Sequence, residues 1–435
     1  MGDLALRTTT IPGLLVLELP VHGDNRGWFK ENWQREKMVA LGLPDFGPVQ
    51  NNVSYNEAAG TTRGIHAEPW DKLVSVATGR IFGAWVDLRE GDSFGAVFTT
   101  EIGPGQAVFV PQGVGNAYQT LEERTAYTYL VNDHWSPDAS YTFLNLADET
   151  AAIDWPVPLE RAELSDKDRA HPRLADVRPV PPRRTLVLGA NGQLGRALRA
   201  LLPDADAWGR DEFDVTDPAA YERVDWRRYG TIVNASAYTK VDEAETPQGR
   251  RDAWRVNVHA VVELAKVATR HGLTLVQVSS DYVFDGERES HPVDETFSPL
   301  GVYGQTKAAG DAVVQTVPRH YVVRTSWVVG DGPNFVATMQ RLAENGVDPA
   351  VVDDQVGLLT HTSDLAREIV ALVREQRPYG TYHVTSGGQP RSWFEIARDV
   401  FAEAGHDPAR VTPTSTQEYG RGKQLAPRPR FSTLE

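Results

Sequence analysis

Tyr303 and Lys307 stand four residues apart in Tyr303-Gly-Gln-Thr-Lys307, a spacing that puts a phenol and an ammonium on one helical face. An ammonium beside a phenol favours the phenolate and lowers its pKa toward working pH, which equips the pair for proton transfer. Ser280, in Ser279-Ser-Asp-Tyr-Val-Phe284, ends an apolar run that reads as a strand. Upstream, Thr185-Leu-Val-Leu-Gly189-Ala-Asn191-Gly192-Gln193-Leu194-Gly195 sets G-x-x-G-x-x-G between a strand and a helix. Such glycines permit a tight turn and close backbone approach to a pyrophosphate, and the helix N-terminus offers free N–H groups to the anion. A Gly-rich turn, then Ser at a strand end, then Tyr-x-x-x-Lys is a specific order, although each part alone is common. In the first half, Thr62-Arg63-Gly-Ile-His66, Lys72-Leu-Val, Tyr127-Thr-Tyr129-Leu and Leu164-Ser-Asp-Lys-Asp168 supply an imidazole, an ammonium, a phenol and a carboxylate.

The elements that must position these groups follow from patterning. Up to Val177 the chain reads as short strands separated by Gly, Pro and Asp: Leu14–Leu19, Lys72–Ala77, Ile81–Leu88, Ala107–Val110 and Thr125–Val131. Alternation over Tyr127–Val131 is imperfect, as expected when both sheet faces are covered. Residues 1–177 therefore form an all-β sandwich or jelly roll. Residues 178–184 hold three prolines and read as a linker. Over 185–435, strands at Thr185–Leu188, Thr231–Asn234, Leu273–Val278 and Tyr321–Arg324 alternate with helices at Leu194–Leu202, Val258–Arg270 and Lys307–Thr316. That alternation predicts an α/β Rossmann-type, doubly wound parallel sheet.

Composition narrows the function classes. The chain has 435 residues, 41% hydrophobic and 24% charged, enough for two or three ordinary domains. The net charge of −15, shared by both halves, disfavours nucleic acid and anionic membranes as partners. No apolar run approaches a membrane span, and Met1–Pro12 lacks the order of a signal peptide. The absence of cysteine removes thiolate chemistry and fits a reducing, cytoplasmic compartment.

The second half resembles the extended short-chain dehydrogenases, and among them the dTDP-4-dehydrorhamnose reductases. The matching stretches are Gly189–Gly195, Asn234–Asp242, Ser279–Phe284, Tyr303–Lys307 and Arg324-Thr-Ser-Trp327, with Asp353–Gly357 matching weakly. The resemblance implies hydride transfer from NADPH (or NADH) to the C4 ketone of a dTDP-linked 4-keto-6-deoxy sugar, and a small substrate-binding subdomain. Tyr303 would protonate the carbonyl oxygen, Ser280 would hydrogen-bond it, and Lys307 would hold the nicotinamide ribose. Gly189, Asn191, Gly192, Gln193, Leu194, Gly195, Asp214, Val215, Ala235, Ser236 and Ala237 match cofactor positions. Asp281, Tyr282 and Trp327 match positions lining the sugar. Arg210 stands where a cation could meet a 2′-phosphate, which favours NADPH; a solvated surface Arg is the plainer alternative. Some relatives dimerise through magnesium using a Glu where this chain has Ala197, so no such metal is expected.

The first half resembles the dTDP-4-dehydrorhamnose 3,5-epimerases, a family of cupin-like jelly rolls that need no metal and form homodimers. The resemblance assigns His66 as the base, Asp168 as its orienting carboxylate, Lys72 as the enolate partner and Tyr129 as the acid on the far face. Arg26 and Arg63 are candidate diphosphate contacts, with Gln50 and Asn52 also at the substrate. The chemistry accounts for these types, because a C–H next to a ketone needs a base within reach and its enolate needs a cation or donor. Four departures stand out: only Ala67–Asp71 separate His66 from Lys72, Asn116 replaces a histidine, Trp135 replaces a tyrosine, and Gly83 replaces an acid. The expected activity is a fused epimerase–reductase. Two alternatives are a reductase carrying a non-catalytic binding module and a non-enzymatic regulatory subunit.

Overall fold

The computed structural model describes residues 3–136 and 139–435. Met1 and Gly2, the start of the predicted first domain, lie outside the described residues. The chain divides between Pro182 and Arg183 into two units.

In the first unit the strands build two antiparallel sheets. One runs Ala5–Thr8, Leu15–Glu18, Gln106–Val110, Lys72–Thr78, Thr125–Val131, Gln50–Asn56; the other runs Thr142–Phe143, Thr62–Ala67, Val114–Thr120, Ile81–Asp87, Val97–Ile102. Side chains alternate across a strand, so Val74, Val76 and Tyr127 pack between the sheets with Trp85, Val108 and Tyr118. Leu73 and Leu130 point the other way, into a cluster with Leu15, Phe109 and Met38 of the helix Arg35–Ala40. That second layer is why Tyr127–Val131 shows no clean alternation. The predicted linker is shorter than 178–184. Val180 exchanges backbone hydrogen bonds with Leu88 and Glu90 in this unit, and Arg184 already begins the first strand of the second.

The second unit holds a six-stranded parallel sheet in the order Asp206–Trp208, Arg184–Leu188, Tyr229–Asn234, Thr274–Ser280, His320–Thr325, Gly380–His383. Leu186, Ile232 and Leu275 pack on Leu264 and Ala268 on one face, while Val187, Val233 and Val276 pack on Leu198 and Ile369 on the other. Both faces are therefore covered, which is why these strands read as unbroken apolar runs. A smaller core of Met339, Val351, Ile396, Val400 and Phe401 lies apart. The helix expected at Val258–Arg270 starts earlier, at Pro247, and passes through a π-turn at Arg255–His259 before Ala260–His271. The helix expected at Lys307–Thr316 spans Val302–Val314, so Tyr303 is already inside it.

Beneath this helix Arg324 and Asp311 form a fully buried ion pair, Nε to Oδ2 at 3.0 Å with side chains 2% and 1% exposed. The guanidinium is also flanked by Phe284 and Phe297. Removing one partner of such a pair strands the other charge. Asp311→Ala is therefore expected to destabilise the second unit by ~3–5 kcal/mol in chemical denaturation, with the first unit's transition unmoved.

Candidate functional site

His66 sits on the strand Thr62–Ala67, between Asn116 and Phe143 on the neighbouring strands. Asp168 lies in the helical turn Asp166–Arg169, whose N-cap Ser165 accepts a hydrogen bond from the Asp168 amide at 3.1 Å. These two elements bring His66 Nε2 to 2.9 Å from Asp168 Oδ1. Burial alone would push the Asp168 carboxyl up, but hydrogen bonds from His66 and Ser165 and the imidazole charge hold it below the usual carboxylate range. Sequence reasoning missed His171. Its ring lies 5.3 Å from that of His66 and stacks on Phe143 at 4.7 Å. Burial, with the nearby His66 charge, pushes the His171 imidazole down. Its spacing three residues after Asp168, on a helical turn, was the available signal. His66, Asp168, His171, Phe143 and Arg63 line a cavity of about 790 Å³. His66, Asp168 and His171 offer ligand atoms within 4.8 Å of one another, but the His66–Asp168 hydrogen bond already occupies two of the atoms an ion would need.

Lys72 and Tyr129 form a second cluster between the sheets. Lys72 is buried, ion-paired with Glu68, and its ammonium lies 5.4 Å from the Tyr129 ring centre. Glu68, four residues before Lys72, is the other group missed. Burial and the Glu68 charge push the Tyr129 phenol up to about 12, so it is a neutral donor near pH 7. Gln50 and Asn52 bond each other at 2.9 Å on the outermost strand. Arg63 donates to Asn56 Oδ1 at 3.2 Å. Arg26 lies on the exposed hairpin formed by residues 22–29 and pairs with Asp24. Asn116 donates to the Tyr127 hydroxyl at 3.1 Å. Gly83 has a local cause, because a Cβ there would stand 2.3 Å from the Trp85 indole.

In the second unit the glycines divide by role. Gly189 has φ +78°, and a Cβ on it would lie 2.7 Å from Ser236 N; a Cβ on Gly195 would lie 2.2 Å from Gly189 O. Packing therefore dictates both. Gly192 meets only Gly189 O, at 3.3 Å, and caps the helix Gln193–Leu201 with no side-chain hydrogen bond. It leaves that N-terminus open for an anion. Gln193 bonds Pro333 O at 3.1 Å, and Leu194 is buried in the core. The Asn191 amide lies against Gly209, whose Cβ it would block at 2.2 Å. Ala235, Ser236 and Ala237 leave the strand Tyr229–Asn234, and Asn234 Oδ1 accepts from the Ser236 amide at 3.1 Å. Arg210 Nε pairs with Asp214 Oδ2 at 3.1 Å, and that carboxylate also accepts from Thr216. Val215 packs its side chain into the hydrophobic core.

Ser280 ends its strand, and its hydroxyl acts to lower the pKa of the neighbouring Tyr303. Lys307, on the same helix, donates its ammonium to Val278 O at 2.7 Å. Burial pushes Tyr303 up to about 12, despite Ser280, and pushes Lys307 down to about 8. Tyr282 packs edge-on to Tyr303 with ring centres 5.6 Å apart. Asp281 turns inward, its Oδ1 accepting from Ser280 Oγ at 3.0 Å. Trp327 has φ +41° and stacks on Trp393 at 3.6 Å, a strained backbone of the kind found at ligand sites. Sequence reasoning also missed Arg428, which bonds Asp242 at 2.9 Å and reaches Tyr282.

Two family models match. One, described as dTDP-4-dehydrorhamnose 3,5-epimerase, covers residues 8–176, and one described as RmlD substrate binding domain covers 183–435. The "Protein RmlC homolog" of Streptococcus pyogenes is 51% identical over 180 residues, 40% of this chain and 90% of that protein. The dTDP-4-dehydrorhamnose reductase of Streptomyces griseus is 42% identical over 274 residues, 59% of this chain and 87% of that protein. Among solved structures, a Bacillus anthracis dTDP-4-dehydrorhamnose reductase in complex with NADP is 36% identical, with TM-score 0.54, covering 58% of this chain and 90% of that one.

Proposed function

We infer, because this chain belongs to the dTDP-4-dehydrorhamnose 3,5-epimerase family over residues 8–176 and to the RmlD substrate binding domain family over residues 183–435, that it performs two consecutive steps on one nucleotide sugar. The first unit epimerises dTDP-4-keto-6-deoxyglucose at C3 and C5. The second reduces the C4 ketone with NADPH, giving dTDP-L-rhamnose or a related deoxysugar. The observation that carries this reading is the pairing, in one chain, of the His66–Asp168 contact with the Ser280–Tyr303–Lys307 set.

In the epimerase, His66 takes the proton next to the ketone while Asp168 fixes its ring and steadies the imidazolium. Lys72 stabilises the enolate oxygen. Tyr129, protonated at neutral pH, returns a proton from the other face. In the reductase, NADPH supplies the hydride. The open amide end at Gly192 fits its diphosphate, and the Cβ-free contacts at Gly189 and Gly195 set that turn. Ser280 and Tyr303 hold the carbonyl oxygen, and Tyr303 donates the proton. Lys307, buried and partly relieved of its charge, holds the ribose side of the site. NMR of the products from dTDP-4-keto-6-deoxyglucose and NADPH tests the whole reading. A product with D-configured C3 and C5, or no product, would refute it.

A second reading, reductase activity with a non-catalytic first unit, draws on Arg26 being paired with Asp24 and on the neutralising Glu68–Lys72 pair. Incubating the full chain with the keto sugar in deuterated water, without NADPH, separates the two: exchange at C3 and C5 is expected, and none would favour the second reading.

The first unit also presents apolar side chains to solvent. Phe29, Val53 and Trp135 are 65–66% exposed, with Trp28 and Tyr55 near half, some of them on the edge strand Gln50–Asn56. Such a surface marks an association site, which supports a homodimer through this unit. Light scattering is expected to report a dimer, and Val53→Lys with Tyr55→Lys to shift it to monomer. No described helix is long and apolar enough to cross a membrane, and a cytoplasmic site fits the cysteine-free chain.

A further inference from the structure

Each reduction removes a proton from Tyr303, and that proton must be replaced. Tyr303 is buried against Tyr282, and the neighbouring Ser280 hydroxyl acts to lower its pKa. Ser280 Oγ lies 3.0 Å from Asp281 Oδ1, so three exchangeable groups stand in line. Asp281 is only 3% exposed. It is poorly placed to be a surface contact for sugar. Asp281 Oδ2 is buried with no hydrogen-bond partner among the described residues, and so is Nε2 of His291, whose charge acts on Asp281. Unpaired polar atoms of this kind are rare and call for an explanation. The other imidazole nitrogen of His291 lies 2.9 Å from Glu295 Oε2, and Glu295 stands 3.9 Å from the exposed Arg288.

We propose that Asp281 resupplies the proton of Tyr303 through Ser280, and that His291 and Glu295 connect Asp281 to solvent. The inference rests on the reductase reading above. As the hydride forms the new C–H bond at C4, the carbonyl oxygen takes the Tyr303 hydroxyl proton. The phenolate then takes the Ser280 hydroxyl proton, and Ser280 takes the carboxyl proton of Asp281. One hydride and one proton are consumed, and Asp281 is left as a carboxylate to be recharged. Burial supports the role by pushing the Asp281 carboxyl up to about 6, against the hydroxyls of Ser432 and Ser280 and the charge of His291. The groups facing it are Ser280, Tyr282, Tyr303, His291 and Ser432.

Asp281→Asn in the full chain tests the relay, with dTDP-4-keto-6-deoxyglucose and NADPH as substrates. The amide keeps the shape and a bond to Ser280 but has no carboxyl proton to give. Reductive kcat is expected to fall about 10-fold or more, with both KM values within about two-fold of wild type. The solvent deuterium isotope effect on kcat should rise, and the loss of rate as pH climbs through about 6 should disappear. Asp281→Glu should recover most of the rate, and His291→Gln should show a smaller fall in the same direction. Unchanged kcat and isotope effect in Asp281→Asn, or a raised KM with kcat intact, overturns the relay. If Asp281→Asn loses NADPH binding through misfolding, Asp281→Glu decides: a variant that binds NADPH yet turns over no faster than His291→Gln overturns it. A wild-type chain that does not oxidise NADPH with the keto sugar fails the reductase reading itself, a different result from an active wild type and an unaffected Asp281→Asn.

Discussion

Tyr303→Phe is expected to abolish reduction while leaving the first step running. General acid–base help contributes about 10²–10⁴ in rate, so NADPH oxidation should fall by that factor, with NADPH affinity little changed. The pKa pattern makes the sign definite. Tyr303 is pushed up to about 12 by burial, so the phenol enters each turnover protonated across neutral pH. It is therefore a proton donor for reduction rather than a standing phenolate. Exchange of the C3 and C5 hydrogens with deuterated water, followed by NMR, should continue at the wild-type rate. Loss of both activities would mean that Tyr303 supports the chain's folding, and unchanged reduction would remove it from the mechanism.

His66→Asn should have the mirror-image effect. Exchange at C3 and C5 is expected to fall by about 10²–10⁴, while reduction of a supplied dTDP-4-keto-L-rhamnose stays intact. Asp168→Asn should fall less, because it removes the orienting carboxylate and leaves the base. The direction of pH dependence follows from Asp168. Its folded pKa is depressed, so its stabilising contact with His66 is present above the unfolded carboxylate value of about 3.9. The contribution is lost only as pH falls through the lowered folded value. Asp168 therefore stays ionised on acidification through neutrality. Equal exchange rates for His66→Asn and wild type would leave the first unit without an assigned base.

Much of this arrangement was legible in the residues, and the reasons are physical. Val187, Val233 and Val276 alternate with Leu186, Ile232 and Leu275 across a sheet covered on both faces, so the parallel strands announced themselves as apolar runs. Gly189 and Gly195 are dictated by contacts under 3 Å, and such strict local demands leave a readable mark. Burial and charge are another matter. The i, i+4 spacing put Tyr303 and Lys307 on one face, but nothing in it showed that Lys307 would bond Val278 O. Arg210 looked free in sequence and is paired with Asp214 one turn away. Arg26 matched a motif, and on its exposed hairpin it is paired with Asp24. Arg428 went unnoticed because its neighbours Asp242 and Tyr282 are tertiary ones that no spacing rule brings together, whereas the i, i+3 and i, i+4 spacings of His171 and Glu68 were there to be read.

The Gly83–Trp85 contact has a bearing on how this first unit can change over generations. The resemblance noted above implies an acid at position 83, and here the indole two residues on fills the volume such a side chain would occupy. Restoring a carboxylate in a single step would drive it into an aromatic ring that is 0% exposed, with the overpacking cost of roughly 1–3 kcal/mol. Shrinking residue 85 first opens a void instead, costing roughly 3–5 kcal/mol for Trp to Ala. The two sites are thus an epistatic couple, each closing the other's reversion path, and only their joint replacement should be close to neutral.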